Sequence, residues 1–196
     1  MRTPAPADSL RVARALLRQS QRVVAKAAGI SQKTLGELEN GEASLIEKNL
    51  QLVDFYVSQG IELLGDTQIG KAVSNAGAKW SAPFGPDATD VQKSKFRAEG
   101  QPTNFGAARA LVKKSQAFVA AALEVSTATV QNLENSDISS PISEKLKHWY
   151  EEQGILFTGW GDVATGRYYG IGVRWASPDS RVVADRSVVD GNLADR

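Results

Sequence analysis

The sequence predicts a mainly α protein, with two tandem units of four or five helices, each followed by a short β extension. Three observations predict it. Residues 14–42 align without a gap on residues 109–137 at a constant offset of 95, and thirteen of the 29 positions are identical. A repeat of that length sets the architecture before any local reading. Apolar residues within each copy recur at three- and four-residue spacing, the helical period. The match then resumes beyond the helices, as QGIELLG (59–65) against QGILFTG (153–159) after one deletion, and as GAKWSAP (77–83) against GVRWASP (172–178).

Each element has a local reason. Asp8 or Ser9 can cap a first helix that begins near Leu10, with Val12, Ala13, Leu16 and Leu17 as its apolar stripe. Ser20 caps a second helix over 21–28, packed through Val23, Val24, Ala27 and Ala28. Gly29 suits the left-handed conformation of a tight inter-helix turn. Ser31 caps a third helix that ends at Asn40-Gly41, and a fourth, unusually apolar, runs from about 45 to 59. The second copy repeats this with helices near 105–114, 116–123, 126–134 and 141–153. Tyr168, Ile171, Val173 and Trp175 suggest a strand, with glycines 166, 170 and 172 allowing turns or bulges. The units are therefore expected at 8–83 and 104–178. A Gly-, Pro- and charge-rich linker is expected at 84–103, with a tail at 179–196 that reads either as an edge strand or as disordered.

Composition narrows the function. The chain lacks cysteine and has one histidine, His148, which leaves no thiol chemistry and little from which to build a zinc or iron site. No stretch approaches the roughly 20 apolar residues of a membrane helix, and the N-terminus lacks the apolar core of a signal peptide. A cytoplasmic protein without cofactor or membrane partner is expected. The net charge of +1 argues against bulk nucleic-acid packaging but not against a reader whose positive charge is confined to one face. No nucleophile–base pair, phosphate-binding glycine loop or metal-ligand cluster is legible, so no enzyme is expected.

The matching pieces SQ (20–21), AGIS (28–31), the T-L-x-x-L-E-N-G run (34–41) and GIELL (60–64), with their second-copy counterparts, resemble the helix-turn-helix domains of the Cro/C1-repressor type, the XRE family. The resemblance covers about 55 residues in each half and implies two lambda-repressor-like domains. It further implies an internal ion pair, Arg14 with Glu39 and Arg109 with Glu134, tying the first helix of each copy to the end of the third.

A helix that reads the major groove needs a polar N-terminus facing the base edges and an apolar back. In the first copy Leu35 and Leu38 form the back, and Gln32, Lys33, Gly36 and Glu37 face outward. Gln can pair with adenine and Lys with guanine. Gln21 can anchor a phosphate at its helix N-terminus, with Arg22 and Asn40 beside that path. Glu37 is a departure from the family pattern; it either accepts from cytosine N4 or marks an impaired reader. The second copy exposes Thr127, Ala128, Gln131 and Asn132, without a positive charge, and places Glu124 where the first has the turn glycine. Lys113, Lys114 and Gln116 remain as its phosphate contacts. Ser31 and Ser126 read as caps. Arg11, Arg14 and Arg18 share a helical face, either solvated or a phosphate track. His148, Trp149 and Tyr150 read as core or copy–copy interface. Trp80 and Trp175 are expected to seal the core or to pair the two extended segments across a pseudo-twofold.

The expected function is a sequence-specific double-stranded DNA-binding transcriptional regulator of phage or mobile-element type, a repressor by default, whose two units imitate a dimer. RNA polymerase and a second copy of the chain are further partners to consider. The alternative is a protein-interaction or anti-activator module on a degenerate helix-turn-helix scaffold, favoured by the near-zero net charge, Glu37 and the neutral second recognition helix.

Overall fold

A computed structural model describes residues 3–42, 44–135 and 140–177. The tail 179–196 lies outside the described residues. The four helices of the first copy are α1 (Ala7–Leu16), α2 (Gln21–Ala27), α3 (Gln32–Glu39) and α4 (Ile46–Ser58), followed by the hairpin β1 (Ile61–Asp66) and β2 (Ser74–Trp80). A connection carries α5 (Asp90–Lys93) and β3 (Ala98–Glu99). The second copy gives α6 (Phe105–Val112), α7 (Gln116–Leu123), α8 (Thr127–Asn135), α9 (Pro141–Glu152), β4 (Ile155–Asp162) and β5 (Arg167–Trp175).

The expectation of a mainly α protein with short β extensions is overturned. Among the described residues, nine helices stand beside a five-stranded antiparallel sheet, 46% helix and 19% strand. The physical reason is that neither extension is an appendage. Each is a full hairpin, and the hairpins join edge to edge through β2 and β5. Because β4 pairs along β5 from Asp162 to Ile155, β2 and β3 share the opposite edge of β5, β2 at residues 172–174 and β3 at 168–169.

The β2–β5 register carries an internal symmetry. Gly77 faces Arg174, Ala78 faces Val173 and Lys79 faces Gly172. Adding 95 to one strand's numbers reproduces the other's, so Ala78 sits opposite its own counterpart. An antiparallel pair in such a register has its local twofold normal to the sheet, here between Ala78 and Val173. Both glycines are required by proximity. A Cβ at Gly77 would overlap the Val173 carbonyl oxygen and the Arg174 Cα, and a Cβ at Gly172 would overlap the Ala78 carbonyl oxygen and the Lys79 Cα. A further matched pair, Gly65 and Gly159, sits where each hairpin shifts register in a bulge.

The helices fall within one to three residues of where the periodicity places them. Ser20, Ser31 and Ser115 each accept a hydrogen bond from a backbone N–H three residues on, from Val23, Thr34 and Phe118. The start of α1 differs: the helix begins at Ala7 without a side-chain cap, and Asp8 and Ser9 serve tertiary contacts. Ser9 is fully buried, donates to the Leu64 carbonyl at 2.9 Å and accepts from the Gly77 N–H at 3.1 Å. Asp8 accepts from the Trp175 indole at 2.6 Å, a bond between the copies. The sheet-side face of α1, through Leu10, Val12, Ala13 and Leu16, joins one apolar core that runs through both copies to Ile171 and Val173.

Residues 84–103, expected as a linker, are tied down on the sheet. Thr89 and Gln92 form a capping box on α5. Lys93 reaches the buried Asp162 at 3.0 Å; that hydrogen bond, with one from Thr165, holds the Asp162 carboxyl below the usual carboxylate range. Arg97 lies over the Trp80 ring at 4.2 Å.

Candidate nucleic-acid interface

In each copy two helices meet across a four- or three-residue turn, α2 to α3 through residues 28–31 and α7 to α8 through residues 124–126. Gly29 takes φ +68, and Gln51 donates to the Ala28 carbonyl at 2.9 Å, closing the turn. In the second copy Glu124 holds the same left-handed conformation at φ 57, and Lys145 reaches the Leu123 carbonyl at 3.2 Å. Glu124 is thus a non-glycine residue in a strained backbone well.

Behind the turns lies a polar cluster repeated atom for atom. Arg14 donates to both Glu39 carboxylate oxygens, at 2.6 and 3.0 Å, and Gln21 Nε2 donates to Glu39 at 2.8 Å. Arg109, Glu134 and Gln116 form the same cluster at 2.6, 3.0 and 2.8 Å. Burial works against the charge of Arg14, but the hydrogen bond to Glu39 and the carboxylate's charge raise its pKa above the ordinary value. For Arg109 the hydrogen bond to Glu134 is the larger influence and acts in the same direction. Tyr56 and Tyr150 are wholly buried nearby, and burial, seconded by Glu39 and Glu134, raises both phenols.

This cluster fixes what Gln21 and Gln116 can do. Each is half-buried with one side-chain amide N–H committed to the carboxylate, which leaves the side chain one amide hydrogen and its oxygen for a further partner. On α3, Gln32 and Lys33 are exposed at the N-terminal end, and Gly36 lies beside Gln21. Lys33 pairs with Glu37 at 3.7 Å along the helix, an exposed pair of little energy that nonetheless lowers the charge presented. Arg22 and Asn40 are exposed beside it, Asn40 as the helix's C-cap. On α8, Thr127, Gln131 and Asn132 are exposed, with Val130 buried behind. Ser31 and Ser126 are occupied as caps, each also bonded to the threonine three residues on at 2.9 Å.

Lys113 and Lys114 are placed elsewhere, in a cleft of about 410 Å³ between the copies. Its walls are Arg11, Arg14, Ala15, Arg18 and Gln19 of the first copy, and Gly106, Arg109, Ala110, Lys113 and Lys114 of the second, with Asn104, Glu134 and Asn135 completing it. Each of the five positions recurs at offset 95, so the cleft lies on the pseudo-twofold. Arg11, expected on a solvated or phosphate-facing surface, is instead buried and bonded to Asp8 and to the Glu39 and Ala110 carbonyls. Arg18, expected on that same solvated or phosphate-facing surface, is exposed and lines the cleft. The basic residue at the same repeat position is Lys113. His148 is exposed and pairs with Glu152 at 3.2 Å, away from any core role, while Tyr150 is core.

No described helix is long and apolar enough to cross a membrane. No family model, curated protein or solved structure matches the chain.

Proposed function

We propose that this chain is a sequence-specific double-stranded DNA-binding transcriptional regulator of the Cro/C1-repressor type, a cytoplasmic repressor in which the two halves act as an intramolecular dimer. The observation that carries this reading is the β2–β5 register, which relates two copies of a capped helix–turn–helix by a twofold normal to the sheet. α1 and α6 pack on one another and on the sheet, so the axis runs from the sheet through these helices to the open basic cleft. A two-unit reader built this way would address half-sites roughly 34 Å apart on one face of a duplex. Gln32 and Lys33 are the base-contacting residues of the first half-site, and Thr127, Gln131 and Asn132 those of the second. Arg22, Gln21, Gln116 and Asn40 flank them on the backbone, and repression is by occlusion of a promoter.

The Lys33–Glu37 pair and the uncharged α8 favour a second reading, a protein-interaction module on the same scaffold. Repeated selection from random duplex pools at about 150 mM salt separates them, since weak non-specific contacts are screened there. Enrichment of a bipartite motif is the expected result, and absence of enrichment by folded protein selects the interaction module.

A further inference from the structure

We infer that the cleft on the pseudo-twofold is a seat for the phosphodiester backbone at the centre of a two-part DNA site, with Arg18, Lys113 and Lys114 as its contact residues. This rests on the DNA reading above and adds to it a surface that neither recognition helix provides. The cleft's charges divide into two groups. Arg11, Arg14 and Arg109 are neutralised by Asp8, Glu39 and Glu134. Arg18 and Lys113, the same position in the two copies, are exposed at the cleft without a carboxylate partner among the described residues, and Lys114 stands beside them against the Phe118 ring at 4.2 Å.

The backbone marks the same residues. Arg18 at φ 54 and Lys113 at φ 55 hold the left-handed conformation in which glycine is the unstrained choice. Both copies place a long cation at that strained position, and strain of this sort gathers where function uses the side chain. The occupant follows from the shape and lining. Among the described residues that line the cleft none is an aromatic on which a base could stack, and the three cations without a carboxylate partner there come from both sides of the axis. That pattern suits successive phosphates of an extended polyanion rather than a single small ligand. Its place on the axis puts those phosphates between the half-sites.

The test uses the full chain and a random-sequence duplex, with affinity followed against salt. Arg18→Gly, Lys113→Gly and Lys114→Gln are combined in one variant; the glycines remove charge while relieving the backbone. A control variant removes three exposed lysines elsewhere, by Lys48→Gln, Lys71→Gln and Lys95→Gln. The slope of log affinity on log salt should fall by about 2 to 3 in the cleft variant, with a loss of roughly one to two orders of magnitude near 0.1 M salt. The control should retain the wild-type slope. An unchanged slope in the cleft variant overturns the seat and leaves the DNA reading standing. Failure of the wild-type protein to bind duplex at low salt overturns the DNA reading and the diester seat together. In that event, thermal stabilisation of the wild type but not the cleft variant by inorganic pyrophosphate would assign the cleft to a free phosphate.

Discussion

The two copies are alike inside and unlike outside. The Arg–Glu–Gln cluster keeps the same three distances in both halves, and a buried tyrosine, a pair of serine caps and a closed inter-helix turn recur with it. On the outward faces Gln32, Lys33, Gly36 and Glu37 are replaced by Thr127, Ala128, Gln131 and Asn132. Interior positions answer to packing and to the desolvation of a buried carboxylate, which leave few solutions. Exposed positions answer to a partner, and two half-sites need not be the same.

The symmetry of the interior is most directly broken at its axis. Gly77→Ala and Gly172→Ala each place a methyl group against the opposing strand's backbone, which no rotamer can relieve. Each is expected to cost about 3 kcal/mol, in the range of severe overpacking. For a chain of this size that lowers Tm by about 6–12 °C in calorimetry. Because the register is symmetric, the two substitutions should have nearly equal effects; a large inequality would mean that the strands are not held by the pairing described.

The ion pairs sharpen the comparison, because the copies support them differently. Arg11 bonds the Glu39 carbonyl in the first copy, whereas Gly106 occupies that position in the second. Arg14→Ala should cost about 2–3 kcal/mol in chemical denaturation by leaving a buried carboxylate without its cation. Arg109→Ala should cost somewhat more, since Gly106 offers no side chain at the position from which Arg11 bonds the Glu39 carbonyl. Loss of DNA binding by Arg14→Ala with stability intact would instead make that arginine a contact residue.

How much of this was legible in the sequence follows from what is local. Helices and serine caps depend on neighbours three or four residues away, so Ser31 with Thr34 or the Val24–Ala28 stripe could be read directly. The Arg14–Glu39 pair was legible only through the family resemblance. Of the sheet, only the strand through Tyr168 and Trp175 and, as one of two readings, its pairing with the Trp80 segment could be read; its full extent could not, because SNAGAKW has little strand-forming composition and pairs with residues nearly a hundred positions away. Its trace was the matched glycines of GAKW and GVRW: Gly172 reads in the sequence as allowing a turn or bulge, whereas it and Gly77 mark close strand approach. The cleft needed the axis first. Arg18 and Lys113 are unremarkable helix-end cations until the strand register brings them to one opening.

The outward faces supply the next contrast. Gln32→Ala and Lys33→Ala should each weaken binding to a selected site by roughly 1–3 kcal/mol, about five- to 150-fold, with helix content unchanged by circular dichroism. Gln131→Ala and Asn132→Ala should have smaller effects, because α8 offers hydrogen bonds without charge. Equal losses from both helices would show that the second copy reads its half-site as closely as the first.

The inter-helix turns allow the smallest and most specific exchange. Glu124 holds a left-handed backbone that Gly29 holds without strain. Glu124→Gly should therefore stabilise the chain by about 0.5–1 kcal/mol, the usual range when a residue better suited to the native backbone angles is introduced, reduced by the glycine's greater freedom when unfolded. The reverse change, Gly29→Glu, should destabilise it by more than Glu124→Gly gains, since its Cβ would also meet Gln51 Nε2 at 3.0 Å and disturb the bond that closes the turn. Denaturation midpoints with unchanged slopes measure both. If Glu124→Gly proved destabilising, the carboxylate at the second turn would be holding a contact of its own, and the second copy could no longer be treated as a strained version of the first.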